Sequence, residues 1–179
     1  MSCSGTNACT AVGEGGTILT TTDMGSSRTR QTSPTLQTLR SVSCPSQTTC
    51  YAAGGNAAWY FLGPPSSSTT PQALVLGTAD GGRTWLILNA GDNASFFESI
   101  SCANQSVCVA VGETNVSPNI EALVAVTANG GTSWTNHVNQ SIPAMHSVSC
   151  PTATDCYAVG EHGAIERSSD GGATWAGRP

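Results

Sequence analysis

Ser147-Val148-Ser149-Cys150 to Cys156-Tyr157-Ala158-Val159-Gly160-Glu161, then Ser168-Ser169-Asp170-Gly171-Gly172-Ala173-Thr174-Trp175, is the stretch that decides the fold, because its pattern recurs along the chain. The cysteine element returns as Ser99-Ile100-Ser101-Cys102 to Cys108-Val109-Ala110-Val111-Gly112-Glu113 and as Ser41-Val42-Ser43-Cys44 to Cys50-Tyr51-Ala52-Ala53-Gly54-Gly55. Its first copy is Ser2-Cys3 to Cys9-Thr10-Ala11-Val12-Gly13-Glu14. Every copy is C-x5-C. The turn element returns as Thr78-Ala79-Asp80-Gly81-Gly82-Arg83-Thr84-Trp85 and Thr127-Ala128-Asn129-Gly130-Gly131-Thr132-Ser133-Trp134, with a worn copy at Thr21-Thr22-Asp23-Met24-Gly25-Ser26-Ser27-Arg28. First cysteines at 3, 44, 102 and 150 set successive units of 41, 58 and 48 residues, the range of four-stranded propeller blades.

Within one unit we read strand A ending at the first cysteine and strand B starting at the second. Strand C is Leu74–Thr78 or Leu123–Thr127, and strand D runs from the tryptophan. Asp-Gly-Gly supplies an acceptor for the turn's backbone N–H groups and two residues that tolerate positive φ, as a tight C–D hairpin requires. Asn129 fills the role of Asp80 and Asp170, and Asp23 holds it in the worn copy. Trp85, Trp134 and Trp175, at one offset, are apolar bodies that fill the layer between packed sheets. The expectation is an all-β propeller of four four-stranded antiparallel blades, a single domain over 1–179 with blades near 1–36, 37–90, 91–139 and 140–179. The ring is either small and closed, or part of a larger wheel or half of a two-chain ring. Open ends would invite self-association. Length variation falls between strand B and the turn, in Trp59-Tyr60-Phe61-Leu62-Gly63-Pro64-Pro65 of repeat two and Thr114-Asn115-Val116-Ser117-Pro118-Asn119 of repeat three. We read both as loop insertions.

The turn element, Ser/Thr-x-Asp-x-Gly-x-Thr-Trp, resembles the Asp-box, or bacterial neuraminidase repeat, of sialidase-like β-propellers. The wider Ser-Val-Ser-Cys-Pro and Tyr-Ala-Val-Gly-Glu pattern is similar to repeat proteins related to the photosystem II stability and assembly factor. The resemblance implies architecture rather than activity, since glycosidases, lectin-like binders and sorting receptors share the box.

Eight cysteines pair in one way that respects the repeat: Cys3–Cys9, Cys44–Cys50, Cys102–Cys108 and Cys150–Cys156, each bracketing an A–B turn. Antiparallel neighbours lie about 4.5–5.5 Å apart at Cα, which a disulfide accepts. Zinc favours shorter Cys spacing and four convergent ligands, whereas one pair per blade would lie apart around a ring. Disulfides point to an oxidising compartment: extracellular, cell-surface or periplasmic. The start, Met-Ser-Cys-Ser-Gly-Thr, lacks a secretory signal.

Composition narrows function. The 179 residues are 39% hydrophobic and 9% charged, with six arginines, no lysine and a net charge of −5. That leaves no basic surface for nucleic acid and no run of apolar residues for membrane insertion. No cofactor or metal motif stands out. The resemblance implies, for a sialidase-type site, an arginine cluster, a tyrosine nucleophile with a glutamate behind it, and an aspartate acid/base. Arg83 sits inside a turn box, Arg28 and Arg30 follow the worn one, and the Phe/Tyr-Arg-Ile-Pro motif is missing. Glu14, Glu113 and Glu161 begin the B–C loops and would ring one face as candidate carboxylates, although Val-Gly-Glu also reads as a structural turn. His146 and His162 would approach that face. Trp59, Tyr60, Phe61 and Phe96 offer aromatic surface for a sugar, peptide or protein; Tyr60 and Phe61 read equally as a buried start of strand C. The expectation is a non-catalytic, extracytoplasmic binding or scaffolding propeller that recognises a carbohydrate, peptide or protein through its B–C and D–A loops. The alternative is a glycoside hydrolase that uses axis-facing carboxylates.

Overall fold

The computed structural model describes residues 1–55, 73–88, 95–116, 119–139 and 142–177. They form four antiparallel sheets of four strands, each in sequence order. Blade one holds β1 (Ser2–Ser4), β2 (Ala8–Val12), β3 (Ile18–Thr21) and β4 (Thr29–Arg30). Blade two holds β5 (Leu39–Ser43), β6 (Cys50–Gly54), β7 (Leu74–Thr78) and β8 (Leu86–Leu88). In blade three come β9 (Ser95–Cys102), β10 (Cys108–Val116), β11 (Asn119–Thr127) and β12 (Thr135–Asn139). Blade four closes the order with β13 (Met145–Ser149), β14 (Cys156–Gly160), β15 (Ile165–Ser168) and β16 (Ala176–Gly177). The propeller reading holds. Among the described residues no helix is long and apolar enough to cross a membrane.

One boundary needs correction. Thr114–Val116 and Asn119 lie in strands, not in a loop: β10 and β11 pair residue for residue from Cys108↔Thr127 to Val116↔Asn119. The turn-forming residues Asn115 and Asn119 hid a hairpin with strands nine residues long. The repeat-two insertion, including Trp59, Tyr60 and Phe61, lies outside the described residues.

Two local devices hold each blade. The first is the disulfide across the A–B hairpin: Cys3–Cys9, Cys44–Cys50 and Cys102–Cys108 each have Cα atoms 4.0 Å apart, and Cys150–Cys156 4.1 Å. The second is the C–D turn. Thr84 donates its N–H to Asp80 Oδ1 at 2.9 Å and its hydroxyl to Oδ2 at 2.6 Å, while Gly82 N–H donates to Thr78 Oγ1 at 3.0 Å. Asp170 repeats this with Thr174, and Asp23 with Ser27. Those hydrogen bonds favour the carboxylate, led by the hydroxyl donor in each turn, and hold Asp23, Asp80 and Asp170 at about 2. Asn129 accepts from Ser133 N–H at 3.0 Å and donates its own Nδ2 to Ser133 Oγ at 2.8 Å, so it keeps the turn without charge. The worn first copy keeps the bonds of Thr21 and Asp23, with Met24 at φ 60° in place of the first glycine and Arg28 in place of the tryptophan.

Packing runs from each blade to the next. Ile18 and Val12 of blade one meet Val42, Ala52, Leu76 and Trp85 of blade two. Tyr51, Ala53 and Val75 meet Phe97, Ile100, Ala110 and Leu123 of blade three, and Val109, Val111 and Val124 meet Met145, Val148 and Ala158 of blade four. Both faces of an inner sheet are therefore apolar, unlike a sheet with one wet side. Near the axis the strands are joined by serines. Ser41 and Ser43 accept the N–H groups of Ile100 and Cys102, at 3.2 and 3.1 Å. Ser99 and Ser101 accept those of Val148 and Cys150, at 3.2 and 2.9 Å, and Ser2 accepts that of Cys44 at 3.0 Å. This is the physical work of the Ser-x-Ser-Cys motif.

Candidate functional site

Strand A of blades two, three and four carries a bulge at one equivalent place. Leu39 pairs with Gly54 and Ser41 with Ala53, so Arg40 is the extra residue. Phe97 pairs with Gly112 and Ser99 with Val111, which leaves Glu98. Met145 pairs with Gly160 and Ser147 with Val159, which leaves His146. A bulge re-aims its side chain relative to the ladder. The partner glycine is dictated by close approach, because a Cβ on Gly54, Gly112 or Gly160 would lie 2.1 Å from the carbonyl oxygen of Thr38, Phe96 or Ala144. The glycine of Val-Gly-Glu is thus structural.

The bulge residues of blades two and three meet. Arg40 Nη1 lies 3.6 Å from Glu98 Oε1, with both side chains about 30% exposed or slightly less. The Arg40 guanidinium also covers the Phe96 ring at 4.6 Å. Glu113 stands on β10 opposite Phe96. Burial pushes its carboxyl above the ordinary value; the charges of Glu161 and Glu98 push the same way, and His146 and Arg40 oppose them. Four charged or titratable groups from three blades, Arg40, Glu98, His146 and Glu161, therefore act on Glu113.

The candidates read from sequence separate accordingly. Glu161 acts on Glu113 through its charge, but Glu113 is a strand residue rather than the start of a loop. Glu14 and Glu161 begin 3-10 turns, Glu14–Gly16 and Glu161–Gly163; Glu14 is not among the charges acting on Glu113. His162 is 82% exposed and lies 4.0 Å from Glu161, with a left-handed φ of 57°. Phe96 is not open aromatic surface: it is 6% exposed beneath Arg40. Trp85 is buried, and Trp134 and Trp175 are partly buried against the cores. Among the described residues no group of three or more His, Cys, Asp or Glu side chains is placed to hold a metal ion. Arg40 and Glu98 were missed in the sequence, although a signal existed. Positions 40, 98 and 146 each stand four residues before the first cysteine of their repeat and are each charged or titratable.

Neither a protein-family model nor a curated protein matches the chain. Solved structures do. It is similar to a structure described as YCF48 bound to D1 peptide, with TM-score 0.54 and 19% identity over 78% of this chain and 39% of that one. It is similar also to YCF48 from Cyanidioschyzon merolae, with TM-score 0.51 and 18% identity over 78% and 36%. A GH74 xyloglucanase from Xanthomonas campestris gives TM-score 0.47 and 12% identity over 99% and 38%, too remote to bear on chemistry. The chain spans well under half the length of these structures. At such identities the likeness establishes a propeller fold, and activity has to be argued from this chain's own residues.

Proposed function

We propose that the chain is a non-catalytic, extracytoplasmic binding or scaffolding propeller whose ligand face is built by the strand-A bulges. The observation that carries this reading is that Arg40, Glu98 and His146, from three equivalent bulges, act together with Glu161 on the half-buried Glu113. Arg40 is paired with Glu98, so the remaining carboxylates favour a cationic group on the ligand. A peptide or protein segment bearing arginine or lysine fits better than a neutral sugar, and the similar structure described as YCF48 bound to D1 peptide gives the fold a precedent for holding a peptide. The B–C connection containing Trp59, Tyr60 and Phe61 belongs to the same proposal. Four disulfides support an oxidising compartment. Self-association through the open ends of the blade series is part of the scaffold reading.

Calorimetric titration with short basic, neutral and acidic peptides tests it. Basic peptides should bind, and Glu113→Gln or Glu161→Gln should weaken them at least tenfold; indifference to both substitutions would end the reading. One observation favours the enzyme class: the Glu113 carboxyl, raised by burial and two neighbouring carboxylates, resembles a general acid. Aryl glycosides with Glu14, Glu113 and Glu161 replaced singly separate the two, since turnover lost on one replacement would establish catalysis.

A further inference from the structure

Blades one to three present the same three positions to the blade that follows. Tyr51, Ala53 and Val75 are 4%, 0% and 0% exposed, and Val109, Val111 and Val124 are 0%, 0% and 1%. Thr10 and Ile18 of blade one are 6% and 0%, with Val12 half-buried. The equivalent residues of blade four, Tyr157, Val159 and Ile165, are 45%, 47% and 49% exposed. The polar half of the junction is open as well. Ser147 and Ser149 stand where Ser41, Ser43, Ser99 and Ser101 accept backbone N–H groups from the next blade, and both are exposed.

Blade one displays the complementary surface. Later blades bury the second cysteine and the alanine two residues on against their predecessor, as Cys50 and Ala52, Cys108 and Ala110, and Cys156 and Ala158 show. In blade one Cys9, Ala11 and Leu19 are only half-buried. With Met1, Met24 and Arg28 they line a hollow of about 260 Å³. Arg28 stands there in place of the tryptophan of the other turns. Met1 and Met24 are 84% and 76% exposed.

We infer that a second copy of this chain fills both ends: blade four of each copy packs on blade one of the other, and two chains close one ring of eight blades. The argument is continuity with a junction that the chain already makes three times. The described residues of each copy leave one forward face and one rear face uncovered, and two such contacts close without leaving an edge. Eight blades lie within the range that propellers typically adopt. The precedent also supplies the contacts. Tyr51 donates its hydroxyl to the Gln105 carbonyl of the next blade at 2.8 Å; Tyr157 occupies the place of Tyr51, and Thr6 that of Gln105. Ser149 stands ready for the Cys3 N–H as Ser101 is for that of Cys150. Arg167 on the forward face is already matched by Asp155 at 2.6 Å.

This specifies the self-association named in the scaffold reading and needs no ligand at the bulge face. Sedimentation equilibrium of the oxidised chain therefore tests it independently of any peptide. The expected mass is twice 18.2 kDa. Val159→Arg on the forward face and Leu19→Arg on the rear face should each return the single-chain mass, with far-UV circular dichroism unchanged. Tyr157→Ala, at a site already exposed to solvent, should weaken the pair at least tenfold without touching the fold. A single-chain mass for the unaltered protein overturns the inference, as does an open ladder of larger species. So does a dimer that survives Leu19→Arg while yielding to Val159→Arg, since that pattern requires a front-to-front contact.

Discussion

Replacing Glu166 by leucine should stabilise the protein. Glu166 is 6% exposed on β15, facing Ala158 and the junction with blade three. Its Oε2 has no hydrogen-bond partner among the described residues. The equivalent residues in the other blades are Leu19, Leu76 and Ala125, all apolar; Leu76, fully buried near Trp85, shows that leucine fits the place. An unpartnered buried polar group costs about 1–3 kcal/mol, and a leucine of similar size also gains apolar burial. The gain at neutral pH is therefore about 1–3 kcal/mol, or about 2–4 °C in Tm per kcal/mol for a chain of this length. Its pH dependence has a definite sign. Burial raises the Glu166 carboxyl above the ordinary value of 4.5, so the parent keeps this group's full contribution below the unfolded-state value. That contribution is lost as pH rises through the folded-state value. The gap between Glu166→Leu and the parent should be small at acid pH and widen toward neutrality. Urea unfolding of the oxidised proteins at both ends of that window measures it. A variant less stable than the parent at neutral pH, or a gap that does not change with pH, would refute the reasoning.

The turn carboxylates act in the opposite direction. Asp23, Asp80 and Asp170 are held at about 2 by their hydroxyl and backbone donors, so their contribution is complete above the unfolded-state value of 3.8 and falls away as pH drops toward 2. Thermal melts across that interval should lose part of their acid slope in Asp170→Asn while the fold survives, as Asn129 already demonstrates; an unchanged slope would count against the assignment. Removing one disulfide by Cys44→Ser with Cys50→Ser should cost about 2–2.5 kcal/mol by loop-closure entropy. Urea midpoints read that loss, and no measurable change would mean that the turn alone fixes the hairpin.

The repeat, the blade count and the cysteine pairing were legible because each rests on residues at fixed offsets: C-x5-C, Asp-Gly-Gly and the tryptophan. The bulges were not. A single extra residue such as Arg40 puts the buried Leu39 and Val42 three apart, and so short a run reads as weak periodicity rather than as a bulge. The long hairpin of blade three was hidden because Asn115 and Asn119 carry turn chemistry that pairing overrides. Glu166 and Ile165 are the instructive pair. Alternation on β15 suggests isoleucine inside and glutamate outside, yet Glu166 is 6% exposed and Ile165 is 49% exposed. The pattern is sound for a blade covered on both faces, and at blade four one face is open.

The axial serines have an evolutionary consequence. A hydroxyl that accepts from the main-chain N–H of the adjoining unit asks nothing of that unit's side chains: Ser41 and Ser99 make the same bond to Ile100 and to Val148. Such a coupling is sequence-blind, so a gene that duplicates, deletes or exchanges one unit keeps its hub without compensating substitutions. Drift in the apolar filling between sheets can then proceed unit by unit while the centre stays in register.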